Sequence, residues 1–494
     1  MLNMLKKAVI YFTVLAMLVL FSACKNNADG NNNTGNSAGD ADAGSLSAIE
    51  ETTELTPVLP DERYDGYEAR FLVMGDVYAH YQSREIGAEI ENGDIINDAV
   101  YRRNMFVEKD LGVMIKSIPS NSIMNDAKKS ILAGGHDYDV IMPIIDDGVK
   151  ALQPGLFLDL NQVSYLNLSN PWWDPRAVKN LTINGKCYFA TGDISILDNE
   201  CTMVIFFNKT IIKDNGLEDP YKLVRDGKWT LDAQSELAKG ITRDVDGDGQ
   251  LTLGEDMFGM QISLNTPHSM FFGAGEHIVS TGADGQMQIV MNSGRAVDIV
   301  NKIFEICTDP QALTLKTKGG GEDYTKFIPN FGKGKILFSH LALIDMNFFR
   351  NDDVDFGILP YPKYDGQQRE YNNFISTICV PMAAIPGNCE DPERIGAILE
   401  DMAYHSVNTL TYAYYDQTLN NRLIRDEESS DMLDIIFNTR VYDVGFMFDW
   451  GGIGSMIQNM YSKYDSNFAS NYEKIADKAQ TAMDKASAEI FGLY

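Results

Sequence analysis

Apolar and polar positions alternate in blocks whose period changes along the chain. The run Ala69-Arg-Phe-Leu-Val-Met74 predicts a strand ending at Gly75-Asp76. Over Asn97–Leu111, the residues Val100, Met105, Phe106, Val107 and Leu111 share one helical face, and Gly112 is placed to stop the helix. Val113–Ile118 predicts a second strand, Ile123–Leu132 a second helix stopped by Gly134-Gly135, and Tyr138–Ile144 a third strand. That order specifies a parallel sheet with helices on its faces.

The nearly continuous apolar run Cys201–Phe207 predicts a buried strand that leads into a helix. Helices follow over Leu231–Ile241 and over Arg295–Cys307, the latter with Ser293 as N-cap, and a strand over Phe258–Leu264. Strands return at Lys335–Phe338 and Phe356–Leu359, ahead of Phe374–Ala383, and Asn471–Ile490 reads as one long C-terminal helix. An α/β lobe interrupted by a helix-rich lobe, with strands returning later, predicts two lobes joined by several crossings.

One polar stretch carries specific chemistry. Asp244–Glu255 reads DVDGDGQLTLGE, the full D-x-[DN]-x-[DN]-G-x5-E pattern of a calcium loop. Asp244, Asp246 and Asp248 would offer carboxylates, Gln250 a backbone carbonyl, Thr252 a water-bridged contact and Glu255 two oxygens, with Gly249 at the sharp turn. The alternative is a solvated acidic turn, since Asp-Gly steps form turns readily. No second such loop occurs, so a paired calcium sensor is not expected. The loop is expected to be a structural calcium site between a helix and a strand.

Two tryptophans stand in loops beside carboxylates: Trp173 in NPWWD and Trp450 in DWGG, next to Asp449. An indole covers the apolar face of a sugar ring and a carboxylate accepts its hydroxyl hydrogens. Part-buried packing is the ordinary alternative for tryptophan. Trp229, just ahead of a helix, is assigned to structure. No H-E-x-x-H, G-x-S-x-G, phosphate-loop or G-x-G-x-x-G pattern is present, and no two histidines stand four apart. A carboxylate pair of the glycosidase kind could hide among the 70 acidic residues.

Lys6 and Lys7, an apolar run from Ala8 to Phe21, and Ser22-Ala23-Cys24 have the parts of a secretory signal. About 14 apolar residues reach roughly 21 Å as a helix, short of a hydrocarbon core of about 30 Å. The FSAC sequence resembles a bacterial lipobox, which would make Cys24 the lipidated first residue after removal of residues 1–23; an ordinary cleaved signal is the alternative. Residues 24–62 are rich in Asn, Gly, Asp and Ala, and read as a disordered tether. Such a tether has relaxed dimensions of about 30–35 Å.

Net charge is −29, which would repel phosphate backbones and excludes nucleic acid as a partner. Apolar residues make up 44% of the chain, ample for large cores. Beyond Cys24 there are five cysteines, Cys187, Cys201, Cys307, Cys379 and Cys389; an odd number without C-x-x-C spacing is no disulfide framework.

Several segments together resemble the extracellular solute-binding lipoproteins of bacterial carbohydrate ABC transporters, the maltose-binding-protein-like family 1. They are FSAC, the tether, ILAGGHDYDVI, GKCYFATGD, MVIFFNKTII, DGKWTLD with the DVDGDG loop, FIPNFGKGKILFSH and DFGILPYPKYDG. The resemblance implies an α/β, two-lobed periplasmic-binding-protein-like clamp with about three hinge crossings, near Asn199–Thr202, near Phe356–Pro360 and around 405–420. It implies an N-lobe of 63–200 plus about 358–410, and a C-lobe of 201–357 plus about 411–494 containing the calcium loop.

By the same resemblance Asp76, Trp173, Asp193, Asn199 and Glu200 line the cleft. Where the family often has an aromatic after a C-lobe strand, this chain has Ser339-His340. The implied function is capture of a sugar by a lipid-anchored monomer on the outer membrane face, for ABC permease subunits, without catalysis. An anchored carbohydrate-active enzyme and a binder of peptides or other solutes are the alternatives.

Overall fold

The computed structural model describes residues 55–282, 285–310, 312–314, 327–415 and 426–493. The signal segment, Cys24 and the tether up to residue 54 lie outside the described residues. No described helix is long and apolar enough to cross a membrane.

The N-lobe is built on β1 (Tyr67–Met74), α1 (Ile95–Leu111), β2 (Val113–Ser120), α2 (Ile123–Leu132) and β3 (Val140–Ile141), with α3 (Ile145–Ala151) behind them. The strands pair in parallel in the order β2-β1-β3. Helix α1 is fixed at both ends: the Asp94 carboxylate accepts the Ile96 and Asn97 amides, and Gly112 leaves the helix at φ 73°. Strand β3 is shorter than its apolar run suggests because Pro143 interrupts it; the returning segment Pro381–Ala384 bridges it instead, at Ile141 and Ile144. Loop helices α4 (Pro175–Leu181) and α5 (Leu197–Glu200) complete this part of the chain.

The C-lobe holds β4 (Met203–Asn208), α6 (Leu231–Ala238), β5 (Phe258–Ile262), α7 (Gly294–Thr308), β6 (Ala312–Thr314), β7 (Ile336–Ala342) and β8 (Phe356–Leu359). Its sheet runs β8-β4-β7-β5-β6, antiparallel on the β8 side and parallel from β7 to β6. All six side chains of β4 are buried, as a strand covered on both faces requires. Ser293 caps α7 through the Ala296 amide at 3.0 Å. Cys187, Cys201, Cys307 and Cys379 are buried, and Cys389 is half-buried.

Beyond the sheet come β9 (Asn373–Phe374), α8 (Pro392–Ser406), α9 (Glu427–Asn438), β10 (Arg440–Val441), α10 (Val444–Phe448) and α11 (Ala476–Ala486). The chain first passes between lobes from α5 into β4, where Thr202 pairs with Ile375 and the Ser376 amide donates to the Cys201 carbonyl at 3.0 Å. The second passage is therefore at Ile375–Ser376 and not at Phe356–Pro360. Strand β8 stays in the C-lobe sheet, paired residue by residue with β4, and Trp229 Nε1 holds the next carbonyl, Pro360, at 2.8 Å. The third passage leaves α8 through a π turn, Val407–Thr411, and falls partly outside the described residues.

The C-terminal segment is also not one helix in the C-lobe. It breaks into Phe468–Glu473, α11 and a π turn, Ser487–Phe491. Its end docks on the N-lobe loop, where Asn184 Nδ2 donates to the Phe491 carbonyl (2.9 Å) and the Tyr188 hydroxyl to that of Ile490 (3.2 Å).

Candidate functional site

Charge concentrates where the two hinge strands run side by side. Strand β9 leads directly into the hinge residue Ile375 and pairs in parallel with β10, so the register Asn373↔Arg440 sets Arg440 next to the passage. From the other side, α5 carries Asp198, Asn199 and Glu200, all buried. The N-lobe supplies Asp174 at the start of α4.

The Arg440 guanidinium organises this seam. Its Nη2 donates to Asp174 Oδ2 at 2.8 Å, and its Nη1 to Asn199 Oδ1 at 2.9 Å and to Asp198 Oδ2 at 3.3 Å. Asp174 is doubly committed: Oδ1 caps α4 through the Arg176 and Ala177 amides, and Oδ2 also accepts the Tyr442 hydroxyl at 2.8 Å. The Tyr415 hydroxyl donates to Asn199 Oδ1 at 3.2 Å, Thr411 Oγ1 to Asp193 Oδ1 at 2.8 Å, and Arg84 Nη2 to Glu200 Oε1 at 3.2 Å. Burial pushes the Asp198 carboxyl up to about 7; Arg440 opposes the rise, and the charges of Asp174 and Asp193 add to it. The seam is thus a polar cluster with carboxylate acceptors, two guanidinium groups and two tyrosines, in which a ligand hydroxyl could exchange with existing partners.

Of the residues expected from the sequence, Asp193, Asn199 and Glu200 meet here. Asp198, Tyr415, Arg440 and Tyr442 were not singled out. The polar triplet DNE ahead of a fully apolar strand was the only local sign of the first, and the two-residue strand bearing Arg440 gave none.

Trp173 is elsewhere and is a correction. It is 2% exposed in the N-lobe core, and its Nε1 donates to Glu400 Oε2 at 2.9 Å. The neighbouring Trp172 donates to Oε1 of the same carboxylate at 3.1 Å. Gly192 of the TGD turn lies so close that a Cβ there would meet the Trp172 carbonyl at 2.3 Å. Both indoles are consumed in holding one buried acid, which leaves neither face nor N–H for a sugar.

His340 is a second correction. It sits in the middle of β7, 1% exposed, with Nε2 2.9 Å from Gln234 Nε2 of α6. Burial depresses its pKa to about 3, so it is a neutral core group and not a cleft residue. Asp76 does stand at the exposed end of β1, bonded to Asn121 Nδ2 at 2.9 Å. Asp449 and Trp450 occupy a second contact patch, where α10 packs on α3 of the N-lobe. Trp450 is 6% exposed and stacks on Phe448 (4.7 Å, 11°), and Asp449 accepts the Ser455 amide at 2.9 Å. These contacts brace the loop, and Trp450 is buried in it.

The acidic loop is preformed. Asp244 accepts the Gly247 and Gly249 amides at 2.6 and 2.8 Å, Asp246 that of Asp248 and Asp248 that of Gln250. The carboxylates that converge, with ligand atoms within 4.8 Å of one another, are Asp244, Asp246 and Asp256. Glu255 differs from its expected role. The turn after Gly254 (φ +84°) leaves its side chain exposed, its carbonyl takes the Lys335 ammonium, and the next residue, Asp256, points inward. Asp256 accepts the Val245 and Thr252 amides, each at 2.7 Å, and these bonds hold it below the usual carboxylate range.

No protein-family model and no curated protein matches this sequence. Solved structures do match its fold. A cyclo/maltodextrin-binding protein complexed with maltotetraose is similar at TM-score 0.54 and 15% identity, over 85% of this chain and 97% of that one. An ABC substrate-binding protein from Listeria monocytogenes, in complex with cycloalternan, is similar at TM-score 0.51 and 15% identity, over 87% of this chain and 100% of that one. The apo form of RafE from Streptococcus pneumoniae gives TM-score 0.51 and 14% identity, over 86% and 98%. The chain has the two-lobed α/β fold of these binding proteins.

Proposed function

We propose that the protein captures a sugar or oligosaccharide between its lobes and delivers it to an ABC importer, anchored to the outer face of a bacterial membrane as a monomer through a lipidated Cys24. The observation that carries this reading is the Arg440 cluster, which joins the N-lobe, the hinge and the C-lobe beside the paired strands Thr202 and Ile375. Rotation about those strands makes or breaks the contacts of Arg440. A ligand that supplies hydroxyls to the same carboxylates and guanidinium then biases the open–closed equilibrium by its differential affinity for the two states. No bond is made or broken in this cycle, and the permease reads the closed form. That two proteins of this fold were solved with oligosaccharides supports a sugar as the ligand.

In the same reading the acidic loop holds a structural calcium ion. Oxygen donors from Asp244, Asp246 and Asp256, on a loop already folded by its own amides, suit a hard cation. Asp248 and the Gln250 carbonyl complete the set, and Asp256 takes the place the pattern gives to Glu255.

The test is calorimetry of the purified chain against an oligosaccharide panel that includes maltotetraose and cycloalternan, with the sugar recovered afterwards. Stoichiometric binding with intact sugar is expected. Turnover at enzyme-like rates, around 10 per second, would establish an anchored carbohydrate-active enzyme instead.

A further inference from the structure

A second polar cluster lies in the N-lobe, away from both the seam and the acidic loop, where the last turns of α1 and α8 pack together. Asp401 and His405 are four residues apart on α8, which puts both side chains on one face. Asp110, at the end of α1, meets them there. His405 Nε2 lies 2.9 Å from Asp110 Oδ2 and 3.4 Å from Asp401 Oδ1, and the ligand atoms of all three residues fall within 4.8 Å of one another.

The hydrogen bonds do not balance. One imidazole nitrogen carries at most one hydrogen, and the shorter contact to Asp110 uses it. Asp401 is 1% exposed, and neither of its carboxylate oxygens has a hydrogen-bond partner among the described residues. A buried carboxylate without donors is costly unless something positive sits against it. The imidazole is held in place by packing: Phe106 stacks on it at 5.0 Å and 16°, and Tyr404 leans against it at 4.9 Å. Solvent still reaches the cluster, because the Asp110 side chain is 37% exposed and that of His405 17%.

A tetrahedral ion with bonds of about 2.0–2.1 Å places its ligands roughly 3.3 Å apart, and the two measured separations bracket that spacing. One imidazole with two carboxylates is a donor set for first-row transition metals; calcium wants more oxygens at longer range. We propose that Asp110, Asp401 and His405 bind a divalent transition-metal ion of the zinc class, stapling the end of α1 to the end of α8 and leaving an open position for water.

The experiment uses the full chain in detergent, stripped on chelating resin, in an Asp246→Ala background that removes the acidic loop. It is titrated with Zn²⁺ by calorimetry and with Co²⁺ by visible absorption. One equivalent is expected, with a cobalt spectrum free of thiolate charge-transfer bands, and Zn²⁺ should raise the melting temperature. Asp110→Asn, at a partly exposed position, should weaken binding by at least about tenfold. His405→Gln should abolish both binding and the thermal shift. Absence of stoichiometric binding in the parent, a thiolate band, or an affinity unchanged in Asp110→Asn would overturn the site and leave a plain His–Asp hydrogen-bonded pair. If His405→Gln does not fold, the Asp110→Asn affinity decides alone.

Discussion

Glu400 and Asp174 are both buried carboxylates, and the protein satisfies them in opposite ways. Glu400, inside the N-lobe, is met by neutral donors: the indoles of Trp172 and Trp173, the Asn167 amide at 3.1 Å and the Asn170 side chain. Asp174, on the seam, adds to its neutral donors a full cation, Arg440, reaching across from the other side of the hinge. Neutral donors suit a contact that never opens, because nothing there needs rehydrating. A guanidinium suits a contact that separates, because both partners are well solvated when apart; a closed pair of this kind contributes little net stability, while loss of one partner is severe.

The largest expected effect breaks the charged side of that contrast. Arg440→Ala strands Asp174 and Asp198 without their cation and is expected to cost about 3–5 kcal/mol, read from urea unfolding midpoints. Next, Trp173→Phe removes one donor to Glu400 and leaves part of the indole volume empty, an expected loss of at least about 1–3 kcal/mol. Its sugar affinity, measured by calorimetry, should match the parent; a tenfold loss would return Trp173 to the binding site.

The proposed calcium ion would satisfy carboxylates in a third way, within one loop. At ten times its dissociation constant it should stabilise the fold by about 1.4 kcal/mol, seen as a melting shift that chelator removes and Asp246→Ala abolishes. The last effect is read as a pH dependence. Asp198 has a folded pKa raised to about 7 from an unfolded value near 3.9, so the folded state binds its proton more tightly. Stability from that group is complete below the unfolded value and is lost as pH rises through about 7. Asp198→Asn should therefore flatten the decline in urea midpoint between pH 5 and pH 8. Equal slopes in parent and variant would remove Asp198 from the account.

Legibility in the sequence followed locality. The strands and helices of the first lobe, with the Asp94 and Gly112 ends of α1, depend on neighbours within a few residues and could be read off the pattern. So could the tight acidic turn at Asp244–Gly249, but that Asp256 and not Glu255 faces Asp244 and Asp246 is decided only by the turn after Gly254. The tryptophans could not: a Trp beside an Asp in a loop looks the same whether its indole is free or bonded to an acid 227 residues away. The second hinge passage was misplaced because FGIL has the composition of any returning strand, and its antiparallel register with β4 is a tertiary fact. Arg440 was invisible for the same reason, since its partners Asp174 and Asp198 lie about half the chain earlier. The pair Asp401 and His405 is one turn of α8 in the sequence, and Asp110 joins it only through the packing of α1 on α8.

The central claim is that the lobes separate and that a sugar draws them together over the Arg440 seam. Spin labels at Leu132→Cys on α2 and Asn301→Cys on α7, in a Cys389→Ser background, measure that separation by pulsed electron resonance; both positions are exposed, and the remaining body cysteines are buried. With the oligosaccharide that binds in the calorimetric panel, the distance distribution should contract to one short population, and in Arg440→Ala the unliganded distribution should shift to longer distances. A distribution unchanged by saturating sugar, and unchanged by Arg440→Ala, would contradict the clamp.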